Sequence, residues 1–412
     1  MQYGCIGAKL GHSYSREVHQ ALGNSDYTLS ELKAEELPDF FNRKNFIGIN
    51  VTIPYKQAVL PYLDEISDVA RRIGAVNTVV HKNGKLFGTN TDYDGMTALL
   101  RRHGMELRGK TVLILGSGGT SRTAQVVAED QGAAEIFVVS RTPQDKQISY
   151  AQAYRTDAEY IINTTPCGMF PQSGAVPIEP ERFPRLQGVL DAVYNPLTTE
   201  LVRRARAMRV PAAGGLFMLT AQAVEAAKYF YDTAFTAEQA EKVFRKIYRS
   251  KENIVLFGMP SSGKTTVGKR VASLLGRPFY DSDTCIEQQS GRTIPQIFSE
   301  QGEKSFRALE EKVLTELAET VRGGVIATGG GAILCEKAVH ALQRNGFSVY
   351  LDRPLSLLQI GGDRPLSADA AALKALYNAR HTLYVQAADV RIENTDTPEK
   401  TAELVIRSFT DR

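Results

Sequence analysis

Four short apolar runs stand out from the polar background: Thr111-Val112-Leu113-Ile114-Leu115, Ile136-Phe137-Val138-Val139, Ile254-Val255-Leu256-Phe257 and Ser348-Val349-Tyr350-Leu351. Short runs of this kind, separated by longer stretches, predict buried strands alternating with helices, and hence βαβ units with parallel sheets. Two of the strands lead directly into glycine loops, at Gly116 and Gly258. The loops differ in type, so an α/β chain with two separate nucleotide-binding domains is expected. Between them, Thr236 with Gln239 three residues on predicts a helix start. Val243, Phe244 and Ile247 then fall on one helical face. A helical linker over 235–251 and a domain junction near 250 follow. The stretch from Thr142 to Asn163 is shorter than a complete βα unit with its next strand, which predicts a trimmed first nucleotide-binding half.

Length and composition narrow the class. A chain of 412 residues implies two or three domains. The 49 Lys and Arg against 46 Asp and Glu give a net charge of +3, too little for a polybasic surface. Nucleic acid and anionic membranes are therefore not expected as partners, and small molecules are. No apolar run approaches the ~18 residues of a membrane span. The start, Met1-Gln2-Tyr3-Gly4-Cys5, lacks a basic segment followed by an apolar one, so secretion is not expected. Cys5, Cys167, Cys285 and Cys335 form no CxxC, which fits a reducing cytoplasm without a disulfide framework or zinc site.

Gly258-Met259-Pro260-Ser261-Ser262-Gly263-Lys264-Thr265 fits GxxxxGK[ST] after a strand, and a helical pattern follows from Thr266. The glycines let backbone N–H groups close around phosphate oxygens. Lys264 neutralises β/γ charge, and the Thr265 hydroxyl can ligate Mg²⁺. ATP with Mg²⁺ is the expected ligand, held by Gly258, Ser261, Ser262, Gly263, Lys264, Thr265 and Thr266. Asp281 and Asp283, two apart on a strand-like run, are expected to point the same way. One could reach Mg²⁺ and the other a substrate hydroxyl; a solvated acidic turn is the competing reading. Gly329-Gly330-Gly331 allows close backbone approach to a ligand, or is a plain turn. Arg307, Arg364 and Arg380 add fixed positive charge suited to carboxylate or phosphate.

With GMPSSGKTTVGK, FYDSD, IFSEQGEKSFR, TGGGA, RPL and YNARHTLY in this order, residues 252–412 resemble shikimate kinase. The resemblance implies a P-loop domain that phosphorylates the 3-hydroxyl of shikimate with ATP. It implies Asp283 on the shikimate hydroxyls, Arg307 and Arg380 on the carboxylate, and Gly329, Gly330 and Gly331 along the ring. Asp281 and Thr265 would serve Mg²⁺, and Arg364 would sit on a lid and touch the transferring phosphate. The segment Leu357–Asp363 is shorter than usual. Gln359 stands near where the family often has an adenine-stacking Arg, which bears on ATP affinity.

The first glycine loop, Gly116-Ser117-Gly118-Gly119-Thr120-Ser121, follows a strand and opens a helical pattern. That is a Rossmann phosphate turn with a pyrophosphate on the helix N-terminus. Where an NAD site has an acidic residue, the next strand ends in Ser140-Arg141-Thr142. An Arg flanked by hydroxyls suits a 2′-phosphate, so NADP is expected; a plain surface arginine is the alternative. Lys56 and Asp92 each end an extended run. Together in a closed cleft they could protonate the alkoxide formed on carbonyl reduction. Each alone reads as a surface charge, and spacing does not bring them together.

Residues 1 to about 235 resemble shikimate dehydrogenase through GHSYS, GINVTIPYK, IGAVNTVV, GTNTDYDG, GSGGTS, SRT, NTTPCGM, DAVYNPLTT and MLTAQA. The resemblance implies a substrate-binding domain over 1–96, completed by a helix at about 216–234, and a Rossmann domain over 97–215. It makes Lys56 and Asp92 the catalytic pair. Ser13, Ser15 and Tyr194 would bind the carboxylate of the substrate, and Thr52, Asn77 and Gln222 its ring hydroxyls. NADP would lie on Gly118, Gly119, Thr120, Arg141 and Thr142, with Thr164 and Met169 near the nicotinamide. Arg16 replaces the family's proline after the second serine. The remaining histidines have no metal-ligand spacing and read as structural or surface residues; His12 borders the serines. Cys167 reads as packing, without a histidine to activate it. The two resemblances name consecutive steps, 3-dehydroshikimate to shikimate and shikimate to its 3-phosphate. A half that senses a ligand without turnover, and quinate as the dehydrogenase substrate, remain as alternatives.

Overall fold

The computed structural model describes residues 2–11, 13–231, 233–358 and 370–412. His12, Gln359 and Arg364 lie outside them. The chain divides into two compact units, Met1–Tyr248 and Arg249–Arg412.

The first unit holds two sheets. One is built from β1 (Tyr3–Gly7), β2 (Thr28–Glu31), β3 (Gly48–Val51), β4 (Glu65–Ile66), β5 (Thr78–Lys82) and β6 (Lys85–Thr89), in the order β2-β1-β3-β5-β6-β4. The sheet is mixed, because β5 runs antiparallel to both β3 and β6. The cause is local. Asn83 and Gly84 both adopt positive φ (53° and 78°), the backbone of a two-residue hairpin.

The other sheet contains β7 (Thr111–Leu115), β8 (Glu135–Val139), β9 (Tyr160–Asn163), β10 (Gly188–Asp191) and β11 (Ala212–Ala213), ordered β11-β10-β9-β7-β8 and parallel throughout. Its inner strands β7, β9 and β10 are buried on both faces. Val112 and Ile114 pack with Met96, Leu99 and Val127 on one side; Leu113 and Leu115 pack with Phe183 and Val202 on the other. The short passage from β8 to β9 carries a single-turn helix, Tyr150–Ala153.

The helices Asp92–Arg102 and Leu216–Tyr231 lie against each other at Gly95, where an added Cβ would stand 2.6 Å from the Met218 carbonyl oxygen and 3.0 Å from Gln222 Cβ. The helix Ala237–Lys251 starts at the reciprocal Thr236 and Gln239 bonds. It buries Val243 and Ile247 among Tyr14, Val18, Leu197 and Leu216. The Arg102 guanidinium grips Glu241 with two bonds at 2.9 and 3.0 Å.

The second unit has one parallel sheet of β12 (Asn253–Phe257), β13 (Phe279–Asp281), β14 (Val325–Ala327), β15 (Gly346–Asp352) and β16 (Val390–Glu393), ordered β13-β14-β12-β15-β16. Val255 and Phe257 face Leu314 and Tyr384, while Ile254 and Leu256 face Val271 and Phe409. Among the described residues no helix is long and apolar enough to cross a membrane.

The Gly95 contact gives a direct test. Gly95→Ala must push apart two packed helices whose nearest atom is backbone, so the variant is expected to unfold in urea with about 1–3 kcal/mol less stability. An unchanged midpoint would contradict the close approach.

Candidate functional sites

In the first unit the chain brings together two groups far apart in sequence. Lys56 follows β3, and Asp92 begins the helix Asp92–Arg102. Lys56 Nζ lies 2.5 Å from Asp92 Oδ2, with both side chains largely buried. Asn90 fixes the approach by donating to the Ala75 carbonyl and accepting from the Asp92 N–H. Asn77 and Gln222 meet at 3.5 Å. Thr91 donates its N–H to Asn77 Oδ1 at 2.7 Å, and its hydroxyl lies 3.3 Å from Gln222 Oε1. Thr52 follows β3 with its N–H bonded to the Ile6 carbonyl. The Ser13 and Ser15 hydroxyls are 3.1 Å apart. Between them Tyr14 turns inward and packs on Tyr194 at 5.3 Å. Burial pushes the Tyr194 phenol up to about 12.

The Gly116–Thr120 loop leads into the helix Gly119–Asp130, whose N-terminus has no side-chain cap. Its free N–H donors suit a pyrophosphate. Gly116 has φ +105°, and a Cβ there would meet Thr164 Oγ1 at 2.9 Å; around Gly118 the space is open. A Cβ on Gly119 would stand 3.8 Å from Lys56 Cδ, so the loop and the Lys56–Asp92 pair border one space. Arg141 and Thr142 are exposed, whereas Ser140 is buried and its hydroxyl accepts from the Thr142 N–H, shaping the turn. Thr164 donates to the Leu115 carbonyl at 2.6 Å, and Met169 is 45% exposed. The residues fit a dinucleotide.

The sequence reading passed over Asp191, which is fully buried. It accepts from Asn163 Nδ2, the Val193 N–H and the Thr199 hydroxyl. Burial still raises its carboxyl to about 6. His19 is structural as expected: fully buried, 3.2 Å from Asn50 Oδ1 and stacked on Tyr27, with burial lowering its pKa to about 3. Burial also raises the Cys167 thiol, which does not favour a nucleophile.

In the second unit a cleft of about 1190 Å³ is lined by Lys264, Thr265, Asp283, Arg307, Gly330 and Arg380. Gly258, Ser261 and Gly263 have φ of 155°, 64° and 91°, folding the loop so that the helix Lys264–Leu275 starts without a side-chain cap. Asn394 Nδ2 holds the Ser262 carbonyl at 2.6 Å. Lys264 Nζ bonds the Gly258 and Met259 carbonyls at 2.9 and 2.8 Å. Thr266 also lines the cleft. Thr265 donates its hydroxyl to Asp281 Oδ2 at 2.7 Å, a hydroxyl–carboxylate set that suits Mg²⁺.

The expected geometry of Asp281 and Asp283 is corrected. The strand ends at Asp281, and Asp283 sits in the first turn of the helix Ser282–Ser290. Asp281 caps that helix, accepting from the Asp283 and Thr284 N–H groups. The turn, rather than strand alternation, aims Asp283 at the glycines. A Cβ on Gly329 would lie 2.6 Å from Asp283 Oδ1 and 2.8 Å from Glu310 Oε1. Both oxygens are buried without a hydrogen-bond partner. Burial, reinforced by Asp281, raises the Asp283 carboxyl to about 6. Arg307 donates to Glu310 Oε2 at 2.6 Å and to Glu303, and its guanidinium fills the place a Cβ on Gly331 would take. Arg380 and Tyr384 both donate to the Gly330 carbonyl, at 2.9 and 2.6 Å. Glu310 and Tyr384 were not expected from sequence, although each lies one helical turn after a named arginine.

Comparison with known proteins divides at the same place. A family model for the shikimate dehydrogenase substrate binding domain matches residues 5–79, and one for shikimate kinase matches 260–410. The shikimate dehydrogenase (NADP(+)) of Clostridium perfringens strain SM101 is 35% identical, over 60% of this chain and 97% of its own length. That of Halothermothrix orenii is 37% identical, over 55% and 89%. Among solved structures, a chorismate mutase/shikimate 5-dehydrogenase fusion protein from Clostridium acetobutylicum is 35% identical with a TM-score of 0.57, covering 60% of this chain and 96% of that one. The Thermus thermophilus shikimate 5-dehydrogenase, in complex with NADP(H) and shikimate, is 32% identical with a TM-score of 0.54, over 60% and 99%.

The raised Asp283 carboxyl predicts a pH effect on stability. Its folded pKa of about 6 exceeds the ordinary aspartate value of 3.8, so between these values the folded state holds a proton that the unfolded chain has released. Its contribution to stability therefore falls as pH rises through that window, by up to about 1 kcal/mol per pH unit. Asp283→Asn removes this decline and is expected to gain stability relative to the parent between pH 4 and pH 7, read by urea unfolding. A parallel pH dependence in both proteins would contradict it.

Proposed function

The chain belongs to the shikimate dehydrogenase family, carries a shikimate kinase domain after it and is a bifunctional enzyme of the shikimate pathway, and from that premise we propose how its residues divide the work. Residues 1–96 with 216–234 bind the cyclic acid, 97–215 bind NADPH, 235–251 join the halves, and 252–412 form the kinase. The first half reduces 3-dehydroshikimate to shikimate. The second transfers the γ-phosphoryl group of ATP to the 3-hydroxyl of shikimate.

The observation that carries the first reading is the Lys56–Asp92 pair beside the Gly119 loop. Bound NADPH supplies the hydride. Lys56 Nζ gives a proton to the oxygen of the carbonyl being reduced, and Asp92 holds that nitrogen in place. Asn77 and Gln222 orient the ring hydroxyls with Thr52, and Ser13, Ser15 and Tyr194 hold the carboxylate. Arg141, with Thr142, meets the 2′-phosphate of the cofactor. Gly116, Gly118, Gly119 and Thr120 take the pyrophosphate, while Thr164 and Met169 border the nicotinamide.

The second reading rests on the unpartnered Asp283 oxygen in the cleft of the phosphate loop. With its pKa near 6, Asp283 is ionised at neutral pH and can take the proton of the attacking hydroxyl. Arg307 and Arg380 hold the carboxylate, and Gly329, Gly330 and Gly331 let the ring lie against backbone. Lys264 meets the β- and γ-phosphates. Thr265 and Asp281 would hold Mg²⁺, which neutralises phosphate charge, and Arg364 would contact the transferring group.

Incubation with 3-dehydroshikimate, NADPH, ATP and Mg²⁺ is expected to consume NADPH and release ADP in dependence on that loss. A ligand-induced melting shift without NADPH loss would instead mark the first half as a sensor. Lys56→Ala should cut reduction by at least about a hundredfold and leave phosphorylation of added shikimate intact. Lys264→Ala should do the reverse, by a similar factor. Loss of both activities in either folded variant would contradict two separate sites. Arg141→Ala should raise the KM for NADPH on the order of tenfold while leaving that for NADH nearly unchanged. Equal effects on both would remove Arg141 from the 2′-phosphate.

A further inference from the structure

Behind the glycine loop of the second unit runs a chain of polar groups that the chemistry above does not use. Arg391, on β16, donates through Nε to Asp352 Oδ2 at 2.8 Å, and its Nη2 lies 2.6 Å from the same oxygen. Asp352 Oδ1 receives the Tyr350 hydroxyl at 2.8 Å, and that hydroxyl is 3.1 Å from His381 Nδ1. Tyr350 is fully buried and Asp352 nearly so.

The proton positions follow from the partners. A guanidinium only donates, and the carboxylate between it and the phenol accepts from both, so the single phenolic proton goes to Asp352. His381 Nδ1 then carries a proton and donates to the Tyr350 oxygen, which fixes the imidazole plane. Tyr377 stacks on that imidazole with ring centroids 4.8 Å apart. Burial, and next the bond to Asp352, hold the Tyr350 phenol well above the usual range, so its O–H persists.

His381 is the sequence neighbour of Arg380, whose Nη1 bonds the Gly330 carbonyl. The Tyr350 ring stacks at 5.0 Å and 17° on Tyr384, whose hydroxyl bonds the same carbonyl. The helix Ala370–Ala387 therefore reaches the glycine loop through two donors and the sheet through His381 and the Tyr384 ring.

We propose that the His381–Tyr350–Asp352–Arg391 chain is a positioning device. It sets the rotation of the helix Ala370–Ala387 so that Arg380 holds Gly330 and keeps the rest of its guanidinium for the carboxylate of shikimate. This rests on the shikimate kinase reading of the cleft, in which Arg380 meets that carboxylate. None of the four residues lines the cleft; they act through Arg380 and Tyr384.

The test is steady-state ADP release by the full-length chain, with shikimate and ATP varied separately. His381→Leu and Tyr350→Phe, which keeps the buried ring, should each raise the KM for shikimate on the order of tenfold. The KM for ATP and kcat should stay within about twofold. His381→Asn should restore most of the loss, because its amide nitrogen can donate from the place of Nδ1. Equal rises in both KM values, or an Asn variant no better than Leu, would overturn the proposal. Arg380→Gln separates it from the reading beneath it. If that variant leaves the KM for shikimate unchanged, the cleft itself is misread and the proposal falls with it. If it raises that KM while His381→Leu and Tyr350→Phe do not, the positioning chain alone is wrong.

Discussion

Parallel register across the second and third sheets brings strand ends to common levels: Leu115, Val139, Asn163 and Asp191 in one, and Leu256, Ala327 and Asp281 in the other. The loops that follow, at Gly116, Ser140, Thr164, Gly258, Ser282 and Thr328, therefore gather at one edge of each sheet. Parallel α/β sheets collect ligands at the carboxyl ends of their strands for this reason. The helices that start there, Gly119–Asp130 and Lys264–Leu275, lack side-chain caps. Their unsatisfied N–H groups suit phosphate, and a capping side chain would occupy that place.

Around these edges the chain keeps polar groups that its own fold does not satisfy. Asp283 Oδ1 and Glu310 Oε1 face Gly329 without partners, and burial raises both carboxyls. Such groups cost stability while they stay unpaired. Two other buried charges are matched: Lys56 lies on Asp92, and Asp191 takes three donors. The contrast separates groups paired within the fold from groups left open to the cleft. Gly329 and Gly331 belong to the same arrangement, because a side chain at either would collide with the carboxylates or with Arg307.

Local chemistry was legible where it is local. The phosphate loop, the Rossmann turn, the capped helix at Thr236 and the strands of the two parallel sheets are written in consecutive residues, because backbone dihedrals and side-chain periodicity are set over a few positions. The direction of the strands in the first sheet was not legible, because its apolar strands carry no sign of it; the Asn83-Gly84 hairpin that sets β5 and β6 antiparallel lies in two residues. Asp283 was placed on a strand because an i, i+2 pair looks extended, while the Asp281 cap turns the chain into a helix between them. Glu310 and Tyr384 stand at helical spacing from arginines and were within reach.

Sequence alone determined which chemistries the chain carries: two kinds of phosphate loop, an arginine in place of a ribose-binding acid, and two families of motifs in order. Only the tertiary structure decided which distant groups meet. Lys56 and Asp92 pair through strand and helix ends, Asn77 and Gln222 meet between an early strand and a late helix, and Asp283 faces Glu310 across Gly329. Such encounters depend on sheet order and helix packing, which are set by burial of the whole apolar pattern rather than by the spacing of the residues that meet.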